Sequence, residues 1–165
     1  MNTEHYVLWN KVKLNQEWLK LPESYFIEQA TKNDIDMIVN LWKACFKDFP
    51  EDFLRRWKER SGVGEITFEG IMHGTQNYKG EPEVDFDGIF ILYYGSPLAY
   101  LPVAFFITDF WEPKVGGLRW AGILPHHRGK GLYYPLVYLG ILYLIYRGAK
   151  ILRAHNVVPP LLPLY

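Results

Sequence analysis

The sequence predicts an α/β domain in which a mixed central sheet is flanked by helices. Two segments between residues 31 and 61 carry apolar residues at helical spacing, and apolar strand patterns fill much of residues 89–124. Near the end, a long apolar helix pattern separates two strand patterns. A strand–helix–strand unit pairs its strands in parallel with a right-handed crossover, whereas a hairpin is antiparallel, so the sheet is predicted to be mixed.

Composition and charge narrow the class of protein. At 165 residues the chain suits one domain, and its 49% hydrophobic and 17% aromatic content excludes a disordered one. Lysine plus arginine equals aspartate plus glutamate at 18 each, so we expect neither a nucleic-acid surface nor an anionic-membrane surface. The single cysteine, Cys45, excludes an intrachain disulfide, and the first residues lack the pattern of a signal peptide, so we expect a cytoplasmic protein.

Short local signals predict the N-terminal elements. Residues 1–22 carry two tryptophans among several lysines and predict an arm or a short helix, and residues 23–165 form the predicted domain. A short strand opens that domain. Thr31 and Asp34 then offer a cap for a first amphipathic helix, and a second helix is expected after Pro50.

The middle of the chain predicts a loop and a hairpin. Residues 62–88 hold six glycines and predict a long loop with a brief strand over residues 65–69. Residues 88–108 carry no charge and are long enough to span a bilayer, but glycine and proline interrupt them. Their β-branched and aromatic residues favour a hairpin over residues 89–108, with its turn at Gly95, rather than a membrane helix.

The final strand–helix–strand unit encloses the most informative turn of the chain. A strand over residues 117–124 leads into this turn. The helix that follows, over residues 132–147, is apolar all round, which is typical of a helix packed on both sides. Gly148 ends the helix, and residues 150–156 predict the last strand.

The turn itself predicts an anion site. Gly129 and Gly131 have no Cβ, so the backbone can adopt a positive φ and approach a ligand closely, while Arg128 and Lys130 add positive charge. Unpaired N–H groups at the start of a helix strengthen the attraction. A phosphate is the natural ligand, and an ordinary basic turn is the alternative. The spacing matches neither a P-loop nor the dinucleotide fingerprint.

The same residues carry a resemblance to a known family. Pro-His-His-Arg-Gly-Lys-Gly-Leu, preceded by Trp-Ala-Gly-Ile-Leu, resembles the acyl-coenzyme A motif of the GNAT superfamily of N-acyltransferases. That family's pattern is Arg/Gln-x-x-Gly-x-Gly/Ala after an apolar strand. Arg128 and Gly131 occupy its Arg/Gln and first Gly positions, whereas Tyr133 stands in place of the last Gly or Ala. The resemblance extends over roughly residues 25–165, where the predicted element order is also that of a GNAT-like fold.

The resemblance implies transfer of an acetyl group from acetyl-coenzyme A to a primary amine, by direct attack in a ternary complex. The pantetheine arm of the coenzyme is expected to pair with the strand before the turn, and the pyrophosphate to bind the N–H groups of the turn. The coenzyme-binding residues implied in this way are Ile123, Leu124, His127, Arg128, Gly129, Lys130, Gly131, Leu132 and Asn156.

The resemblance also gives candidates for proton transfer. Tyr165 corresponds to a tyrosine that donates to the coenzyme sulfur in many members, and a frayed terminal aromatic is the alternative. Glu112 is our candidate base, since the strand before the turn lacks a carboxylate; an ordered chain of water molecules is the alternative. His126 and His127 are adjacent and point apart, without a third ligand, so no metal site is expected.

The chain is shorter at its C-terminus than the family pattern. Members normally continue with two further strands, which complete the sheet and line the acceptor site. A truncated form, a fragment and a chain completed by a partner's strands are the alternatives. Unless other strands are supplied, we expect an incomplete C-terminal part and an exposed sheet edge, which favours a homodimer. Two functions follow as hypotheses. One is an N-acetyltransferase acting on a small-molecule or peptide amine, and the other is a non-catalytic, truncated GNAT-like domain that binds coenzyme A or a protein partner.

Overall fold

The computed structural model describes residues 4–8, 14–49, 51–61 and 66–155. Six strands form one sheet, with β5 and β6 parallel and the other neighbouring strands antiparallel. Across the sheet, the strands lie in the order β1 (Glu4–Leu8), β6 (Ile151–His155), β5 (Val115–Ile123), β4 (Ala99–Glu112), β3 (Ile89–Ser96) and β2 (Tyr25–Gln29). The predicted mixed sheet, its hairpin and its parallel final unit are confirmed.

The described helices are α1 (Ile35–Phe46), α2 (Glu51–Ser61), α3 (Phe68–Ile71) and α4 (Tyr133–Tyr146), with short 3-10 turns between elements. The predicted cap before α1 is confirmed as a capping box. Asn33 N–H donates to Thr31 Oγ1, and Thr31 N–H donates to the Asp34 carboxylate at 2.7 Å. Within the described ranges, none of the helices has the length and apolar character needed to cross a bilayer.

Helices pack against both faces of the sheet. On one face α4 packs against a buried cluster that includes Phe106 and Leu136, and on the other α1 and α3 pack against one that includes Trp42 and Phe105. Phe105 and Phe106 are consecutive in β4, and strand geometry sends them to opposite faces. Burying each such side chain stabilises the fold by about 1.5–3 kcal/mol.

Two local predictions are wrong. Residues 65–69 were predicted to hold a brief strand, but Phe68–Ile71 is a helical turn. The Thr67 hydroxyl accepts from Gly70 N–H at 3.1 Å, and this cap chemistry outweighs the strand propensity of the segment. The expectation that α4 is packed on both sides also fails at its outer face, where Leu142 and Tyr146 are exposed.

The N-terminal residues join the sheet. Glu4–Leu8 was predicted to lie in an arm or helix, but it forms β1, which pairs antiparallel with β6 from Glu4 opposite His155 to Leu8 opposite Ile151. The predicted exposed edge beside β6 is therefore covered by the chain's own first strand. The division of the chain at residue 22 stays a prediction.

Candidate active site

The described pairing between β5 and β6 covers only the first part of β5, and we call the side of β5 beyond this pairing the cleft. Their parallel pairing runs only from Val115 opposite Ile151 to Leu118 opposite Ala154. Beyond it, β5 continues to Ile123, paired with β4 on its other side. Residues 119–123 therefore have no β6 partner within the described part of the chain, and we call them the open edge of β5. Five residues of strand make this edge about 17 Å long.

A β-bulge marks the inner end of the open edge. Ile107 of β4 pairs with Trp120 and the next residue, Thr108, pairs with Leu118. Arg119 is thus the extra residue, and such bulges commonly re-aim side chains beside functional sites. Here the bulge lies where the pairing with β6 stops.

The outer end of the open edge runs into the predicted anion turn, residues 128–132. A 3-10 turn, Pro125–His127, connects it to β5, and α4 follows at Tyr133. Gly129 and Gly131 have φ values of 75° and 73°, the left-handed conformation that glycine adopts without strain. The conformation predicted for both glycines is confirmed.

The anion turn has unused backbone donors. Within the described residues, the N–H groups of residues 129–132 donate to no backbone carbonyl. Leu132, the N-cap of α4, has no side chain able to cap the helix, and Pro135 carries no N–H at all. The turn therefore presents several orphan donors at the positive end of a helix dipole, an arrangement that suits a phosphate.

The two cations of the turn are placed differently. Arg128 is folded back, since its guanidinium donates to the carbonyl oxygens of Ile123 at 3.0 Å and of Cys45 at 2.8 Å, which ties the turn to β5 and α1. Lys130 is exposed and donates to the Tyr25 hydroxyl at 3.4 Å. Burial raises the pKa of the Cys45 thiol to about 12, with Arg128 opposing that rise, so the thiol is protonated at neutral pH.

Aromatic side chains of β2 and β3 contact His127, the residue just before the anion turn. The Tyr25 hydroxyl lies 2.7 Å from His127 Nδ1, and the ring of Tyr94, which is paired with Tyr25, lies 5.1 Å from the imidazole. Burial, followed by the charges of Lys130 and His126, lowers the pKa of His127. Tyr25 is 102 positions from His127 in the sequence, and no local signal connects them.

A buried ion pair lies at the inner end of the cleft. Arg119 donates to Asp109 at 3.1 Å, and the Asp109 side chain is only 2% exposed. Burial raises the pKa of Asp109, and the neighbouring Arg119 opposes that rise. The Arg119 guanidinium also donates to the carbonyls of Ile71 and His73. Arg119 and Asp109 could not be predicted as a pair from the sequence, because they lie on separate strands.

The other predicted site residues lie elsewhere. The structure brings Ile123, Leu124 and the turn together, but Glu112 is exposed and pairs with Val115 at the opposite end of β5. Asn156 and Tyr165 lie outside the described residues. Among residues 4–155, apart from the gaps given above, no group of three or more metal-binding side chains occurs.

The fold that carries the open edge and the anion turn is similar to those of several solved structures. A GCN5-related N-acetyltransferase from Sphaerobacter thermophilus matches with a TM-score of 0.61 and 13% identity, over 97% of this chain and 45% of that one. A glucosamine N-acetyltransferase region of a fungal multi-domain GH3 β-N-acetylglucosaminidase matches with a TM-score of 0.58 and 12% identity, over 92% and 17%.

A GNAT family acetyltransferase from Brucella melitensis, in complex with acetyl-CoA, matches with a TM-score of 0.53 and 12% identity, over 84% of this chain and 80% of that one. The chain thus has a GNAT-like fold, as predicted. It spans less than half the length of the Sphaerobacter protein and less than a fifth of the fungal one. Neither a protein-family model nor a curated protein sequence matches the chain.

Proposed function

We propose that this chain is an acyl-coenzyme A-dependent N-acyltransferase that uses acetyl-coenzyme A and a primary amine in a ternary complex. One observation carries the proposal: the open edge of β5 leads directly into a turn in which the N–H groups of residues 129–132 donate to no backbone carbonyl of the described chain. An extended amide-bearing arm fits the edge, and a pyrophosphate fits the turn.

The strand geometry supports particular backbone contacts. Leu124 N–H donates to Val103 of β4 at 2.8 Å, and successive residues of a strand turn their amide groups to opposite sides. Ile123 and Ala121 therefore turn theirs toward the open edge. The Ile123 carbonyl already accepts from Arg128, so its N–H is the free partner for the amide of a pantetheine arm.

Phosphate binding is assigned to the anion turn. The N–H groups of residues 129–132 supply the donors, and Lys130 supplies an exposed positive charge. Arg128 adds charge while holding the turn in shape through its two carbonyl contacts. His127 lies beside the turn in its neutral form near pH 7, because its pKa is lowered.

The groups for proton transfer are proposed as the family resemblance implies. Acetyl-coenzyme A supplies the acyl group as a thioester, which the amine attacks with release of the thiol. Tyr165 is the proposed acid for the departing sulfur, and Asn156 the proposed contact to the pantetheine. Glu112 takes the amine proton through water, because it lies at the far end of β5. A lower kcat for Glu112→Gln, with KM unchanged, supports that role.

The proposal includes a small-molecule or peptide amine as acceptor and a cytoplasmic location. Pairing of the sheet's outer strands, β1 or β2, is the expected route to a homodimer. The non-catalytic alternative retains the same coenzyme site without turnover.

Calorimetric titration with acetyl-coenzyme A, followed by thiol release across a panel of amines, tests the proposal. Gly131→Val should weaken coenzyme binding by about tenfold or more, because the φ of 73° and the close approach of a phosphate both require glycine. Gly148→Val is the matched control, since Gly148 has a φ of 93° at the other end of α4. Equal affinity in both variants contradicts the proposed site. Binding without turnover selects the non-catalytic alternative.

A further inference from the structure

Arg119 lies at the point of the cleft farthest from the anion turn. The open edge starts at this bulge residue and ends at Ile123, about 17 Å away along the strand. On the proposed function, an arm that enters at the turn and follows the edge brings its acyl end toward Arg119. The residues around Arg119 therefore form the position at which the amine must bind.

The glycines before Arg119 show on which face of the sheet its side chain lies. On the α4 face, a Cβ at Gly116 would lie only 3.0 Å from Leu144 and 3.1 Å from Ala149. On the opposite face, a Cβ at Gly117 would collide with Asp109 and Trp111. Asp109, and hence the Arg119 guanidinium bound to it, lies on the side that is not covered by α4.

Arg119 fastens a connecting segment to that side. Its Nε donates to the Ile71 carbonyl at 3.1 Å, a terminal nitrogen donates to the His73 carbonyl, and the other holds Asp109. Trp120 adds a bond to the same Ile71 carbonyl at 3.2 Å. Further along, Gln76 forms an isolated bridge with Phe110 of β4. We call residues 71–76 the α3 loop.

We propose that Arg119 is a positioning residue that fixes the α3 loop as the acceptor-side wall of the cleft. The inference rests on the proposed function. Arg119 donates hydrogen bonds to two carbonyls of the α3 loop and to one carboxylate. A planar guanidinium can donate in all three directions at once, whereas the ammonium group of a lysine cannot. Asp109 orients the Arg119 guanidinium through their ion pair, and its own side chain is too buried to contact the amine.

The test compares Arg119→Lys with Arg147→Gln. Arg147 is a matched control, since it also ties the segment between α3 and β3 to the body of the protein, through Asp85 and Asp87 at the far end of α4. Arg119→Lys should raise KM for the amine about fivefold or more, with the calorimetric Kd for acetyl-coenzyme A unchanged within about twofold. Arg147→Gln should leave both quantities within about twofold of wild type.

Other outcomes overturn the inference. An unchanged KM for the amine in Arg119→Lys does so, as does an equal loss of coenzyme affinity. Should Arg119→Lys fail to fold, Asp109→Asn replaces it, with the same split between amine and coenzyme expected.

Failure of the proposed function gives a distinct result. If wild type binds acetyl-coenzyme A but acetylates no amine, hydrogen exchange decides the inference instead. Arg119→Lys must then accelerate exchange in the α3 loop while coenzyme Kd stays constant and Arg147→Gln leaves that loop protected. Unchanged exchange in Arg119→Lys overturns the inference.

Discussion

The two ends of the open edge are built in opposite ways. At the outer end, the anion turn consists of consecutive residues, and the N–H groups of residues 129–132 donate to no backbone carbonyl of the described chain. At the inner end, Arg119 and Asp109 come from different strands, and each nitrogen of the guanidinium donates to a carbonyl or to the carboxylate. The outer end is thus prepared to gain a ligand, while the inner end holds the protein's own segments together. Changes at the inner end should therefore affect stability first, and changes at the outer end should affect binding first.

The largest expected effect is on stability at the inner end. Arg119→Met leaves the Asp109 carboxylate buried without its cation, which should lower the free energy of unfolding by about 3–5 kcal/mol. Denaturant titration measures this loss. The double variant Arg119→Met, Asp109→Leu should regain much of it, because an apolar pair costs less than an unpaired buried charge. A double variant no more stable than the single one contradicts this account.

A smaller effect is expected on coenzyme binding at the outer end. Tyr25→Phe removes the hydroxyl that contacts His127 and Lys130, and the loss of such bonds is worth about 1 kcal/mol, or roughly fivefold in affinity. Calorimetry with acetyl-coenzyme A measures it. Tyr94→Phe is the control, since the Tyr94 ring contacts the His127 ring in a tilted arrangement that phenylalanine can keep. The two ends differ as proposed only if Tyr25→Phe changes affinity more than thermal stability.

The smallest expected effect is a pH dependence at the turn. The folded state lowers the pKa of His127, so the unfolded chain binds a proton more readily as the pH falls below about 6.5. The free energy of unfolding should therefore decrease as the pH is lowered from 7 to 5. Thermal unfolding of wild type and His127→Gln across this range checks it, and the variant should show the shallower decline. Parallel curves contradict the assignment.

The same contrast explains what the sequence could predict. The anion turn could be predicted because glycines, cations and a helix start are contiguous, and their conformation is confirmed at Gly129 and Gly131. The Arg119–Asp109 pair could not, since its register depends on a bulge between β4 and β5. Around Thr67, the sequence predicted a brief strand, whereas the hydrogen bond from Gly70 N–H to the Thr67 hydroxyl caps a helical turn.

The pairing of β3 with β4 and of β5 with β6 could be predicted from the hairpin and the crossover unit, but the place of β1 could not. Nothing in residues 4–8 indicates which strand they join, because a short strand pattern specifies a conformation and not a partner. The position of the predicted base shows the same limit. Glu112 stays a prediction, and only the structure shows that it pairs with Val115, at the end of β5 opposite the anion turn.

The pairing of β1 with β6 also has a consequence for biosynthesis. It joins residues 4–8 to residues 151–155, nearly the full length of the chain apart. β1 therefore leaves the ribosome long before β6, and contacts of such long separation form slowly. Until β6 is available, β1 has no partner strand and is open to intermolecular pairing, so a nascent chain is prone to aggregate through this strand.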